Sequence, residues 1–193
     1  MPEEHGDGEE RKYSKLYLLV IERYKDYIEQ KESLSVAELP TLVTPNDELV
    51  LKKVNEIKAR FTNYSYESNF YDASMMVFDF VKNSIENVVL PVQFWLTPRE
   101  TMSFGMGDEV DKNILMCSML IALGNPSAKV LMNIKDNNRK TFVYFEFGGE
   151  VYMLDNENGV KKFKNSEELI SSLSGGEDTV LYEFNNRTYR DIV

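Results

Sequence analysis

From Ile114 to Ala122 almost every side chain is apolar, Ser118 being the exception, and the run closes on Gly124-Asn125-Pro126. Gly and Pro placed just beyond a periodic run are a helix stop. A helix that is apolar around most of its circumference offers no face to water, so other elements must enclose it. The fold therefore has to be built around this segment.

Beyond Pro126 the period changes. Ala128 to Ile134, Thr141 to Phe147 and Glu150 to Leu154 are short runs rich in β-branched and aromatic residues. Asn137-Asn138 and Gly148-Gly149 stand between them, the second pair a strong hairpin signal. A short helix near 166–173 and a strand near 179–185 complete the C-terminal half. Tyr144 and Phe142 should share one face of their strand, and Val143 and Phe145 the other, so one of these sets meets the central helix.

The N-terminal half carries the three-and-four spacing of helices. Tyr13, Leu16, Tyr17, Val20, Ile21, Tyr24 and Ile28 predict a first helix ending near Gln30. In Thr44-Pro45-Asn46-Asp47, Thr44 reads as the N-cap and Pro45 as a first-turn residue of a second helix, with Val50, Val54, Ile57 and Phe61 on one face. Phe70, Ala73, Val77, Phe80, Val81 and Ile85 predict a third over 67–86, and a loop around Pro91 and Pro98 leads on to Gly105-Met106-Gly107. Helices first and antiparallel strands later make the expected class α+β. The expected organisation is a flexible acidic tail over residues 1–11 and one domain over 12–193, since the tail holds five carboxylates and no large apolar side chain besides Met1.

Charge narrows the partners. Acidic residues outnumber basic ones 32 to 22, a net charge of -10 that repels phosphate backbones and anionic lipid heads. Neither nucleic acid nor a membrane surface is an expected partner; a protein or peptide is. The single cysteine, Cys117, excludes an internal disulfide and a multi-thiolate zinc site, and fits the cytoplasm. The start of the chain lacks the basic and apolar regions of a signal peptide, and no run approaches the roughly 20 residues of a membrane span.

The order of motifs also carries a resemblance. Gly107-Asp108-Glu109-Val110-Asp111 precedes a helix ending in Leu120-Ile121-Ala122-Leu123-Gly124, followed by Phe142-Val143-Tyr144-Phe145-Glu146 and Tyr152-Met153-Leu154-Asp155. Over residues 70–156 this resembles the transglutaminase-like superfamily, with its papain-type core. In that family a Gly-Asp-Cys motif opens the central helix, a His starts a strand of the form His-x-Trp-x-Glu, and an Asp ends the next strand. Carried over residue by residue, Glu109 stands at the position of the Cys, Phe142 at that of the His, and Asp155 matches the Asp. A carboxylate is a poor nucleophile toward amides and a phenyl ring moves no proton. The resemblance thus implies the fold, argues against the activity, and points to a groove kept for binding, lined by Trp95, Asp108, Glu109, Phe142, Tyr144 and Asp155.

Competing assignments remain open. A hydrolase or acyltransferase with chemistry unlike the family's would use Cys117 or the acidic cluster Asp108, Glu109 and Asp111; a structural subunit would dock a larger partner through its acidic tail and exposed aromatics. Cys117 lies eight residues past Glu109, about 12 Å along a helix, among Leu115, Met116, Met119 and Leu120. That setting suits a core residue better than an activated thiol. The acidic cluster suits the first turn of a helix, with Asp108 as N-cap, at least as well as it suits a cation. His5, the sole histidine, falls in the tail. Gly105-Met106-Gly107 lacks a phosphate-loop lysine, Asn133 to Arg139 lacks a calcium-loop pattern, and Lys161, Lys162 and Lys164 read as a solvated loop. No cofactor and no metal are expected.

Overall fold

The computed structural model describes residues 6–32, 34–35, 38–89, 92, 94–135, 138–174 and 179–192. His5, Pro91 and Asn137 lie outside these residues, as do positions 1–5 of the expected tail.

The chain divides into two units, Met1–Leu34 with Val89–Phe94, and Ser35–Val88 with Trp95–Val193. The first contains helix α1, Gly6–Glu32, which starts earlier than Tyr13 and takes in residues 6–11 of the expected tail. Leu16, Tyr17, Leu18, Leu19, Val20, Tyr24 and Tyr27 on it are exposed.

The second unit opens with a single turn, α2 (Leu39–Leu42), and α3 (Glu48–Lys58). The N-cap of α3 is Asp47, whose carboxylate accepts from the Leu49 amide at 2.9 Å. The expected cap, Thr44, instead uses its own amide to donate to Ser118 Oγ at 3.0 Å, and the turn at Pro45-Asn46 delays the helix by one turn. Helix α4 (Tyr66–Ser84) buries Phe70, Ala73, Val77 and Val81 at the spacing read from the sequence.

Two short parallel strands, β1 (Glu86–Asn87) and β2 (Met106–Gly107), flank α5 (Pro98–Phe104). The stretch around Pro98, expected as loop, is helical because Thr97 and Glu100 form a reciprocal capping box, with Pro98 in the first turn where its missing N–H costs nothing. Gly105 ends α5 with φ 68°, the left-handed value a C-cap glycine supplies.

Helix α6 (Glu109–Ala122) is the central helix. Every residue from Val110 to Leu120 is buried. It packs on α3, α4 and α5 on one side and on the sheet on the other.

The sheet has six antiparallel strands in the order β6-β5-β4-β3-β7-β8. These are β3 (Lys129–Lys135), β4 (Asn138–Phe147), β5 (Glu150–Asp155), β6 (Gly159–Phe163), β7 (Thr179–Phe184) and β8 (Tyr189–Asp191), with α7 (Ser166–Leu173) between β6 and β7. Gly148 and Gly149, at φ 61° and 80°, close the β4-β5 hairpin as the sequence signalled. Lys161 and Lys162, read as loop, belong to edge strand β6, where Lys162 pairs with Glu150 at 2.7 Å. Lysine on an edge strand also discourages pairing with another chain.

Each face of the sheet is covered. Val130, Met132, Val143, Phe145, Leu154 and Phe184 join the core around α6, where Phe145 packs edge-on against Phe70 at 5.2 Å. Leu131, Phe142, Tyr144, Val151, Met153 and Leu181 form a second cluster with Leu169 of α7.

Candidate functional site

The N-terminus of α6 is held by its own carboxylates. Asp108 accepts from the Asp111 amide, and Asp111 accepts from the Asp108 amide, both at 2.9 Å, a complete capping box. The other oxygen of Asp111 accepts from the Leu96 amide at 2.7 Å. One fully buried carboxylate thus ties the segment before α5 to the first turn of α6. Gly107 makes this possible, because a Cβ there would stand 2.8 Å from the Asp111 Cβ. Among the described residues no group of three or more His, Cys, Asp or Glu is placed to hold a metal ion.

Trp95 lies beside this cap. The Arg139 guanidinium stacks over its ring at 5.5 Å and also reaches Asp108 at 3.5 Å. Glu109, half-buried in the first turn, accepts from the Thr141 amide at 3.4 Å. Burial raises its carboxyl above the ordinary value. The bond from Thr141 and the charge of Lys140 oppose that, while Asp155 and Glu157 add to it. Burial likewise pushes the Asp111 carboxyl up, reinforced by Asp108 and opposed by the two amides that bind it.

Strand alternation decides which residues face Glu109. The side chains of β4 that point toward α6 are Thr141, Val143 and Phe145, so Phe142 and Tyr144 point the other way. Phe142 packs in the second cluster, and Tyr144 donates its hydroxyl to the buried Glu183, which also pairs with Lys129 at 2.6 Å and Arg190 at 3.1 Å. Neither lines a groove with Glu109. The residue that meets the start of α6 is Thr141, one position earlier.

The same shift of one residue holds on β5. Asp155 is buried at the strand end, where it accepts from the Glu157 amide (2.8 Å), the Asn158 amide (3.0 Å) and Asn158 Nδ2 (2.7 Å). Burial alone would raise its carboxyl, but these bonds outweigh that and hold it below the ordinary value. It organises the turn into β6. The next residue, Asn156, reaches α6: its Nδ2 donates to Asn113 Oδ1 at 3.1 Å, and Asn113 Nδ2 donates to Thr141 Oγ1 at 2.8 Å. Asn156 Oδ1 is buried with no partner among the described residues.

The side chains brought together are therefore Glu109, Asn113, Thr141 and Asn156, with Trp95, Arg139 and Asp108 beside them. Asn113, Thr141 and Asn156 are not legible as site residues in the sequence. The only signal for them is their spacing, four residues after Glu109 and one residue from each resemblance position. Cys117 sits one turn deeper than Asn113, fully buried, with a thiol pushed up by burial.

Neither a family model nor a curated protein matches the sequence. Solved structures do match in fold. Legionella pneumophila LapG, EGTA-treated, superposes with a TM-score of 0.51 at 18% identity, over 83% of this chain and 87% of that one. A second structure of Legionella pneumophila LapG gives 0.50 at 18% identity over 81% and 87%. A candidate cysteine protease from Cytophaga hutchinsonii gives 0.48 at 14% identity over 84% and 57%. With a helix-first chain, an enclosed central helix and an antiparallel sheet packed on it, the protein has the transglutaminase-like fold with its papain-type core.

Proposed function

We propose that this chain is a non-catalytic transglutaminase-like domain that holds a protein or peptide segment in the groove between Trp95 and the N-terminus of α6. The observation that carries this is the pair of residues at the site: a carboxylate, Glu109, in the first turn of the helix, and a threonine, Thr141, whose main-chain amide donates to it. Acyl transfer through a thiol needs a thiolate and a base beside it. The only thiol is enclosed two turns into α6 with its proton held by burial, which weighs against the use of Cys117. That lone thiol fits a reducing compartment such as the cytoplasm. No helix among the described residues is long and apolar enough to cross a membrane.

One observation favours a second reading, hydrolysis assisted by Glu109. Burial raises its carboxyl above the ordinary value, so it holds a proton more readily than a free carboxylate, as a proton donor must. It lacks an evident nucleophile, and so ranks second.

Trp95 is the only tryptophan, which makes the groove self-reporting. The test is a titration with pools of extended peptides, following Trp95 fluorescence, with mass spectrometry of the same samples. A saturable fluorescence change with intact peptides is the expected result. Turnover abolished by Glu109→Ala would establish the second reading, and no fluorescence change with any pool would sink the first.

A further inference from the structure

A concavity opens at the far end of the β4-β5 hairpin. From Thr141 to Phe147 is six residues, about 20 Å at strand rise, so it lies well away from Trp95 and Glu109. It measures about 600 Å³ and is bounded by the start of α4, the hairpin turn and the start of α7. That size suits a few side chains of a ligand rather than a single ion.

Its lining has a definite chemistry. Tyr66 and Phe147 meet edge to face, centroids 5.5 Å apart at 84°, and so form an aromatic corner. Three carboxylates, Glu67, Glu146 and Glu150, stand around it, against one cation, Lys164. Glu150 is engaged by Lys162 and by the Tyr152 hydroxyl. Glu67 and Glu146 are exposed and make no ion pair among the described residues. An anion finds little here. The α7 N-terminus is already answered by Asn165, which accepts from the Glu168 amide, and by Glu168, which accepts from the Lys164 amide.

We propose that this concavity binds a basic peptide segment, seating a lysine or arginine side chain between the Tyr66–Phe147 corner and the carboxylates of Glu67 and Glu146. Aromatic faces attract cations through their quadrupole, and carboxylates supply the directed, charge-assisted bonds. The net charge of -10 draws such a segment toward the protein from a distance. The site goes beyond the groove reading and does not depend on it.

The probe is acetylated, amidated tetralysine, followed by backbone amide NMR shifts at physiological ionic strength. Saturable shifts confined to Tyr66–Glu67, Glu146–Val151 and Lys164–Ser166, without change in Trp95 fluorescence, are expected. The double substitution Glu67→Gln/Glu146→Gln should weaken binding about tenfold or more, as removal of two charge-assisted bonds implies. Phe147→Leu, which keeps the charge, should weaken it about threefold, and Lys164→Ala should tighten it. Glu48→Gln/Glu86→Gln removes equal charge outside the site. If that pair weakens binding as much as Glu67→Gln/Glu146→Gln does, or if shifts spread over the whole acidic surface, the attraction is diffuse and the proposal fails.

Discussion

If Thr141, and not Phe142, faces the start of α6, then a thiol and an imidazole should communicate only when the imidazole is placed at 141. The perturbation is Glu109→Cys with Thr141→His in a Cys117→Ser background, compared with Glu109→Cys with Phe142→His. A thiol at 109 inherits the burial of the site and Asp155 and Glu157 as neighbours, which oppose its ionisation against the single charge of Lys140, so without an imidazolium it should titrate at or above the unperturbed value of about 8.5. An imidazolium against it at a helix N-terminus brings paired thiols of this kind to about 5.5 or lower. At about pH 6.5 the thiolate fraction then rises from roughly 1% to roughly 90%. The lower basicity costs reactivity, by roughly twentyfold over three pKa units at a Brønsted slope near 0.45, leaving a net gain of about fourfold in alkylation rate. The profile is more telling than the rate: its midpoint should move from above about 8 to below about 6. The assay is iodoacetamide labelling against pH, read by intact mass, with folding of each variant confirmed by circular dichroism. Overpacking at buried Thr141 costs about 1–3 kcal/mol, which urea titration would show. A folded Phe142→His variant with the shifted profile, beside a folded Thr141→His variant without it, would refute the assignment of faces.

Other outcomes rest on the same geometry. Asp111→Ala leaves the Leu96 and Asp108 amides without their acceptor and should cost about 2–4 kcal/mol in urea unfolding; a loss below about 0.5 kcal/mol would mean the tie is dispensable. Gly107→Ala drives a methyl into Asp111 and should lower the melting temperature; an unchanged melting temperature would contradict the close approach. Burial raises the Glu109 and Asp111 carboxyls, so the folded chain binds their protons more tightly than the unfolded chain. Their contribution is thus greatest near the unfolded value of about 4 and is lost as pH rises through the folded values. Melting temperature should rise on going from about pH 7.5 to about pH 5, and Glu109→Gln/Asp111→Asn should remove most of that rise. Native iodoacetamide should label Cys117 slowly and urea should restore ordinary labelling; rapid native labelling would contradict its burial.

The limits of the sequence reading have physical causes. Phe70, Val77 and Val81 announce themselves because an element with one wet face writes its core as a period. Strand β4 does not, since Phe142 to Phe145 is apolar on both faces and both faces of the sheet are covered, one by α6 and one by α7. With no polar face to fix the phase, a one-residue displacement is undetectable in the sequence, and it moves every side chain to the other side. That is why the resemblance points at Phe142 and Asp155 while Thr141 and Asn156 make the contacts. At α3, Thr44 and Asp47 are both good caps, and only the tertiary bond from the Thr44 amide to Ser118 selects the second. Helix α5 escapes a reading that weighs Pro98 as a breaker, because its neighbours Thr97 and Glu100 make it a first-turn residue.

The bonds at the site also bear on the proposed binding role. The surroundings of Glu109 are tied together by Asp111, Asp108, Asn113 and Asn156, none of which stands at a nucleophile or base position of the resemblance. Of these bonds only the one from Asn113 to Thr141 Oγ1 involves the side chain at 109 or 141, so most of this scaffold does not depend on which residues stand at those two positions. A buried polar network of this sort is costly to leave half-satisfied, so its members constrain one another even when no chemistry depends on them. The one loose end is Asn156 Oδ1, buried beside Asn113 and unpaired among the described residues. A donor supplied by a bound segment or by water would satisfy it, and Asn156→Ala separates the two. If a peptide group supplies the donor, that change should weaken groove binding more than it lowers stability, whereas a structural water would reverse the order.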